Sequence, residues 1–141
     1  MTQSKDTSLT RFGISMDADL LARYDRLIDE KGYTNRSEAI RDMVRDSLVQ
    51  QEYLSNQPVV GSVTLVYNHH AHDITHKLTH YQHEYSDLII ATLHVHLTGD
   101  DCMEIIALKG PGNRLKLFSD NLLGMKGVKH GKLVVTSAVT P

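Results

Sequence analysis

The chain has 141 residues, with 15 basic and 17 acidic side chains for a formal net charge of −2, nine His, one Cys and no Trp. That length holds one ordinary domain or two small ones, and 40% hydrophobic with 23% charged residues suits a globular chain rather than a disordered one. The balance excludes attachment to nucleic acid by bulk basicity alone, the lone Cys excludes an internal disulfide framework, and apolar runs as short as Leu88-Ile89-Ile90-Ala91 exclude a membrane span.

Residues 1–10 are polar and expected to fray, and without a signal-like apolar stretch there a cytoplasmic location is expected. In Arg11-Phe12-Gly13-Ile14-Ser15-Met16, Phe12, Ile14 and Met16 alternate with Arg11, Gly13 and Ser15, the period of a half-buried strand. Asp17 can cap a helix carrying Leu20, Leu21, Tyr24, Leu27 and Ile28 at helical spacing, and Gly32 closes it. Asn35-Arg36-Ser37-Glu38 has the pattern of a capping box opening a second helix, which fades near Leu54. Residues 55–58, Ser-Asn-Gln-Pro, are the expected linker.

Beyond Pro58 the pattern changes to β-rich segments at Val59 to Tyr67, Asp87 to Leu97, Cys102 to Leu108 and Val128 to Val139, with helical patterns over Asp73 to His83 and Pro111 to Lys126. The order βαββαβ predicts a split-βαβ, ferredoxin-like domain over 59–141. The N-terminal segment needs a different solution. One strand and two helices in about 45 residues cannot satisfy the strand's backbone or enclose a core. A second copy supplying an antiparallel strand solves both problems, so residues 11–54 are expected to form an intertwined ribbon-helix-helix dimer. The fold class is therefore α+β.

In such a ribbon Arg11, Gly13 and Ser15 point outward and fit a DNA major groove, where Arg bonds bidentately to guanine. The helix start at Asn35, Arg36 and Ser37 offers backbone donors to a phosphate. An exposed ribbon used only for dimerisation is the plainer reading of the same alternation. Residues 1–54 carry eight basic and ten acidic side chains, so DNA affinity would have to come from placement.

Six of the nine His lie between His69 and His83, and two more, His94 and His96, precede Cys102. With a hairpin centred on Gly99, His96 stands opposite Cys102 and His94 opposite Glu104, all four on one sheet face. Leu93, Val95, Leu97, Met103 and Ile105 take the other face and are expected to supply the core. Two imidazoles and a thiolate suit a late first-row divalent metal. A fourth position remains, for water in a catalytic site or for a ligand from another subunit. His69, His72, His76, His80 and His83 follow helical steps and are candidates for that position, although a polar surface helix explains the stripe equally well.

These residues resemble those of the nickel-responsive ribbon-helix-helix repressors, the NikR family, over nearly the whole chain. The resemblance is carried by Gly32-Tyr33-Thr34-Asn35-Arg36-Ser37-Glu38-Ala39-Ile40-Arg41-Asp42, by Ala91-Thr92-Leu93-His94-Val95-His96, by Asp100-Asp101-Cys102 with Glu104, and by Gly127-Val128-Lys129-His130-Gly131. It implies one planar four-coordinate Ni(II) per subunit, held by His94, His96 and Cys102 of one chain and by His83 of a neighbour, with Glu104 supporting the ligands. It implies a homotetramer of ACT-type regulatory domains flanked by two ribbon-helix-helix dimers, binding a palindromic DNA operator to repress nickel-uptake genes. A weaker cation site is implied at Glu38 and Asp42.

The chain departs from the family at Gly13, where the ribbon commonly has a hydroxyl residue, and in Asn68-His69-His70-Ala71-His72, where basic residues are common. The second departure predicts steeper pH dependence of DNA binding than a Lys or Arg loop gives. Two other functions fit parts of the pattern: a zinc or copper storage or delivery module, and a metallohydrolase using the open fourth position. No His-Glu-x-x-His motif supports the hydrolase, so a non-enzymatic role is expected.

Overall fold

The computed structural model describes residues 8–137. Its elements are α1 (Ala18–Glu30), α2 (Arg36–Leu54), β1 (Pro58–Asn68), α3 (Ile74–Glu84), β2 (Ile89–His96), β3 (Asp101–Pro111), α4 (Gly112–Leu123) and β4 (Val128–Thr136). The chain divides into two compact units between Arg41 and Asp42, inside α2. Among the described residues no helix is long and apolar enough to cross a membrane.

In the first unit the helix signals act as their chemistry dictates. Asp17 accepts the Leu20 N–H at 2.9 Å and starts α1. Gly32, at φ +79°, ends it in a conformation that costs a Cβ-free residue little. Asn35 Oδ1 accepts the Glu38 N–H at 2.9 Å to start α2. Only half of the expected capping box forms, because the Glu38 carboxylate accepts from Thr34 Oγ1 at 2.9 Å. The strand expected over Arg11 to Met16 is absent: residues 8–17 have no regular structure, and Phe12 is 76% exposed. The physical reason is that a single copy has no second strand to pair with.

In the second unit the four strands run in the order β2-β3-β1-β4, every neighbouring pair antiparallel, which is the predicted split-βαβ topology. The β4 residues expected beyond 137 lie outside the described residues. Helices α3 and α4 cover one sheet face, placing Ile74, Leu78, Leu115, Phe118 and Leu122 against Val63, Leu65, Tyr67, Ile106 and Leu108. Segment 55–58 is hydrogen-bonded, with Asn56 Oδ1 accepting the Asn113 N–H at 3.1 Å as α4 begins.

One expectation is overturned here. Leu93, Val95, Leu97, Met103 and Ile105 do not form the covered core face. Cys102, Glu104, Ile106 and Leu108 are the buried residues of β3, whereas Leu93 is 57% and Leu97 49% exposed. Alternation sorted the residues into two faces correctly, but hydrophobicity named the wrong face as the one under the helices. The apolar set lies on the open side of the sheet.

Candidate metal centre

The centre is built by a hairpin. A bulge between Ile89 and Ala91 resets the alternation of β2, after which Leu93 pairs with Ile105, His94 with Glu104, Val95 with Met103 and His96 with Cys102. The turn closes through the Leu97 N–H donating to Asp101 O at 2.9 Å, while Thr98 Oγ1 accepts the Asp101 N–H at 3.0 Å. This is the register predicted from Gly99. It aims His94, His96 and Cys102 at one point on the helix-covered face, with one potential ligand atom from each lying within 4.8 Å of the others.

The environment of the three is uneven. Cys102 is fully buried, and both imidazoles are exposed because β2 is an edge strand. Cys102 Sγ lies 3.5 Å from His96 Nδ1 and 3.4 Å from His69 Nδ1. The position of His69 differs from the expected stripe. His69 follows β1, where Tyr67 pairs with Cys102, and its N–H donates to Asp100 O at 2.9 Å. Neither His69 nor His72 belongs to α3, because His72 and Asp73 adopt left-handed φ values of 51° and 57° that interrupt helical spacing. His70 points to Asp100, with 3.6 Å between Nε2 and Oδ1.

Glu104 is buried and holds three neighbours together. Tyr67 Oη donates to its Oε1 at 2.9 Å, Gln82 Nε2 donates to its Oε2 at 2.9 Å, and His94 Nδ1 lies 3.4 Å from Oε1. When His94 Nδ1 carries the proton it donates to this carboxylate, which leaves the Nε2 lone pair for a metal. Burial, then the hydrogen bond to Glu104, pushes the Tyr67 phenol well above its ordinary range, so it stays a neutral donor. Thr92 Oγ1 extends the chain to Gln82 Oε1 at 3.3 Å. Tyr67 and Gln82 were not found from sequence. Their signal lay in the β1–β3 register and in the helix face beside His83, neither of which hairpin reasoning reaches.

His83 sits in the last turn of α3, exposed, and lines a 370 Å³ cavity with Thr79, Gln82, Ser86, Thr92 and Glu104. It is not brought to the three convergent ligand atoms of its own chain. Arg11, Gly13 and Ser15 are exposed in the irregular N-terminal segment. The Arg36 guanidinium is held bidentately by Asp25, both bonds 2.8 Å, and holds that carboxyl below its ordinary range. The start of α2 therefore presents backbone N–H groups at Arg36 and Ser37 rather than a mobile Arg36 side chain. The carboxylates expected to hold a weaker cation each have a partner: Glu38 accepts from Thr34, and Asp42 pairs with Arg45 at 2.9 Å.

Two imidazoles and a buried thiol fit a late first-row divalent cation better than a hard, oxygen-seeking one. Comparison with known proteins agrees with this chemistry. Residues 60–136 match the family model described as the NikR C terminal nickel binding domain, and residues 10–51 match that of the ribbon-helix-helix protein, copG family. A protein of Trichlorobacter lovleyi, provisionally named a nickel-responsive regulator, is 53% identical over 92% of this chain and 94% of its own length. One of Pyrococcus abyssi, with the same provisional name, is 51% identical over 92% of this chain and 94% of its own. An uncharacterized protein of Thermotoga maritima superposes with a TM-score of 0.51 at 16% identity, over 56% of this chain and 98% of its own, a likeness of fold alone.

Proposed function

The chain belongs to the nickel-responsive regulator family with a ribbon-helix-helix DNA-binding domain, and from that premise we propose that it represses nickel-uptake genes in the cytoplasm, binding its operator when Ni(II) occupies the His94, His96 and Cys102 centre. The observation that carries this reading is the hairpin register, which converges two imidazoles on a buried thiol. Bound nickel would supply positive charge and a fixed set of coordination bonds to which donors from separate chain segments attach. His94, His96 and Cys102 would hold the ion, one per subunit, and His83 of a neighbouring chain would complete the set.

The transmission of this state rests on Glu104 and Gln82. Glu104 orients His94, and Gln82, next to His83 on α3, is bonded to the same carboxylate. Ligand placement and the position of α3 are therefore linked through one buried group. On the DNA side, the exposure of Phe12, Ile14 and Met16 supports pairing with a second copy, which would bury them and turn Arg11, Gly13 and Ser15 to the groove. The open apolar sheet face, with Leu93, Leu97 and Val134 exposed, supports further association into a homotetramer. A two-fold ribbon reads a palindromic operator.

The test is a selection of random duplexes with and without stoichiometric Ni(II). Enrichment of a palindrome only with nickel is expected. The same duplexes enriched equally without metal would sink the proposal.

A further inference from the structure

Further side chains of the kinds that bind metals lie along α3, outside the hairpin. Ile74 and Leu78 are buried under the sheet, so the helix turns His76, His80 and Glu84 outward. The His76 and His80 rings are nearly parallel, 14° apart in plane and 6.5 Å between centroids. His80 Nε2 lies 3.5 Å from Glu84 Oε1, with the two side chains 72% and 59% exposed.

We propose that His76 and His80 form a second, weaker chelating site for a late first-row divalent cation, Zn(II), Ni(II) or Cu(II), with Glu84 supporting it through His80. Two His four residues apart on one helix face can share a metal, and Glu84, a further turn along, reaches His80 rather than the ion. The backbone already holds the Cα atoms at the needed spacing. Closing the imidazoles onto an ion takes only rotamer changes, which exposed side chains make on the ps–ns scale. Two features make the site weak: solvent competes for every ligand, and Lys77 and Lys126 line the groove beside His80 and Glu84.

The helix stands to gain from being clipped. At 11 residues α3 is below the length at which an isolated helix is stable in water. Its N-cap residue, Asp73, is left-handed and makes no side-chain capping bond, and its first turn carries no acidic residue. A metal bridging successive turns would replace that missing support. This inference does not depend on the nickel-responsive reading, because neither of its ligands belongs to the hairpin centre.

The experiment uses the full-length protein preloaded with one equivalent of Ni(II) and titrated with Zn(II) in equilibrium dialysis. Wild type is expected to take up one more weak equivalent per chain than His76→Gln/His80→Gln, with the tight nickel class equal in both. Glu84→Gln is expected to weaken that equivalent without removing it. Hydrogen exchange of the α3 amides should slow on adding Zn(II) in wild type and not in the double variant. Equal weak uptake by wild type and double variant would overturn the proposal. Loss of the tight class together with the weak one would overturn it too, by making these side chains part of the first centre.

Discussion

The phenol of Tyr67 donates to Glu104 Oε1 at 2.9 Å, and His94 Nδ1 lies within 3.3 Å of that phenol and 3.4 Å of that oxygen. A strand that contributes none of the three convergent ligands thus fixes the carboxylate that orients one of them. Tyr67→Phe should lower stability by about 1–3 kcal/mol, because a buried carboxylate loses a donor. It should also weaken Ni(II) binding roughly 10–100-fold, as removal of a supporting partner does. Thermal unfolding and a competitive metal titration check both. Wild-type values in the two measurements would show that the phenol neither supports Glu104 nor orients His94.

Cys102 is the sole thiol of the chain and is fully buried between His69 and His96. Cys102→Ser replaces a soft anionic ligand by a hydroxyl that stays protonated at neutral pH. Tight Ni(II) binding, thiolate-to-nickel charge-transfer absorption and nickel-dependent DNA binding should disappear together. Retention of the absorption band would place the metal elsewhere.

What could be read from sequence followed the range of each signal. Asp17, Gly32 and Asn35 act on neighbours within four residues, so α1 and the place where α2 begins were legible, although the Glu38 half of the capping box was not. The hairpin around Gly99 is equally local, and the pairing of His96 with Cys102 was foreseen. Tyr67 and His69 reach Cys102 and Glu104 only through β1–β3 pairing across more than 30 residues, which no local pattern specifies. The choice of sheet face failed for a related reason. Leu93 and Ile105 are more apolar than His94 and Glu104, yet their side of the sheet is left open in a single chain.

Gly131 shows a constraint of the same long-range kind. A Cβ there would come within 2.6 Å of the Thr64 carbonyl and 2.3 Å of Leu123 Cδ2. The leucine methyl can rotate away, but the strand backbone cannot. Gly131→Ala should therefore cost about 1–3 kcal/mol by overpacking, read as a lower midpoint in denaturant unfolding with the number of bound nickel ions unchanged. An unaltered midpoint would mean that β1 and β4 separate there at no cost.

Arg11 is exposed in the segment proposed to enter the groove. A bidentate Arg–guanine contact is worth about 1–3 kcal/mol in each half-site. Arg11→Ala should weaken binding to the nickel-selected duplex at least tenfold while leaving nickel stoichiometry at the wild-type value. Fluorescence anisotropy with the selected and a scrambled duplex measures both the loss and its sequence dependence. Normal affinity and discrimination would show that the ribbon does not read bases through Arg11.

The origin of the fourth ligand can be tested by mixing chains. His83 is exposed and is not brought to the convergent atoms of its own chain, although Gln82 beside it is bonded to Glu104. If a neighbour supplies His83, His83→Ala and Cys102→Ser homomers each lack every complete site. Co-refolded chains behave differently. The His83→Ala chain keeps His94, His96 and Cys102, and the Cys102→Ser chain keeps His83, so contacts between unlike chains rebuild complete sites. Tight Ni(II) binding should then reappear in the mixture at a fraction set by random assembly. If His83 acted within its own chain, no mixture would contain a complete site, and the absence of recovered binding would overturn the inter-subunit assignment.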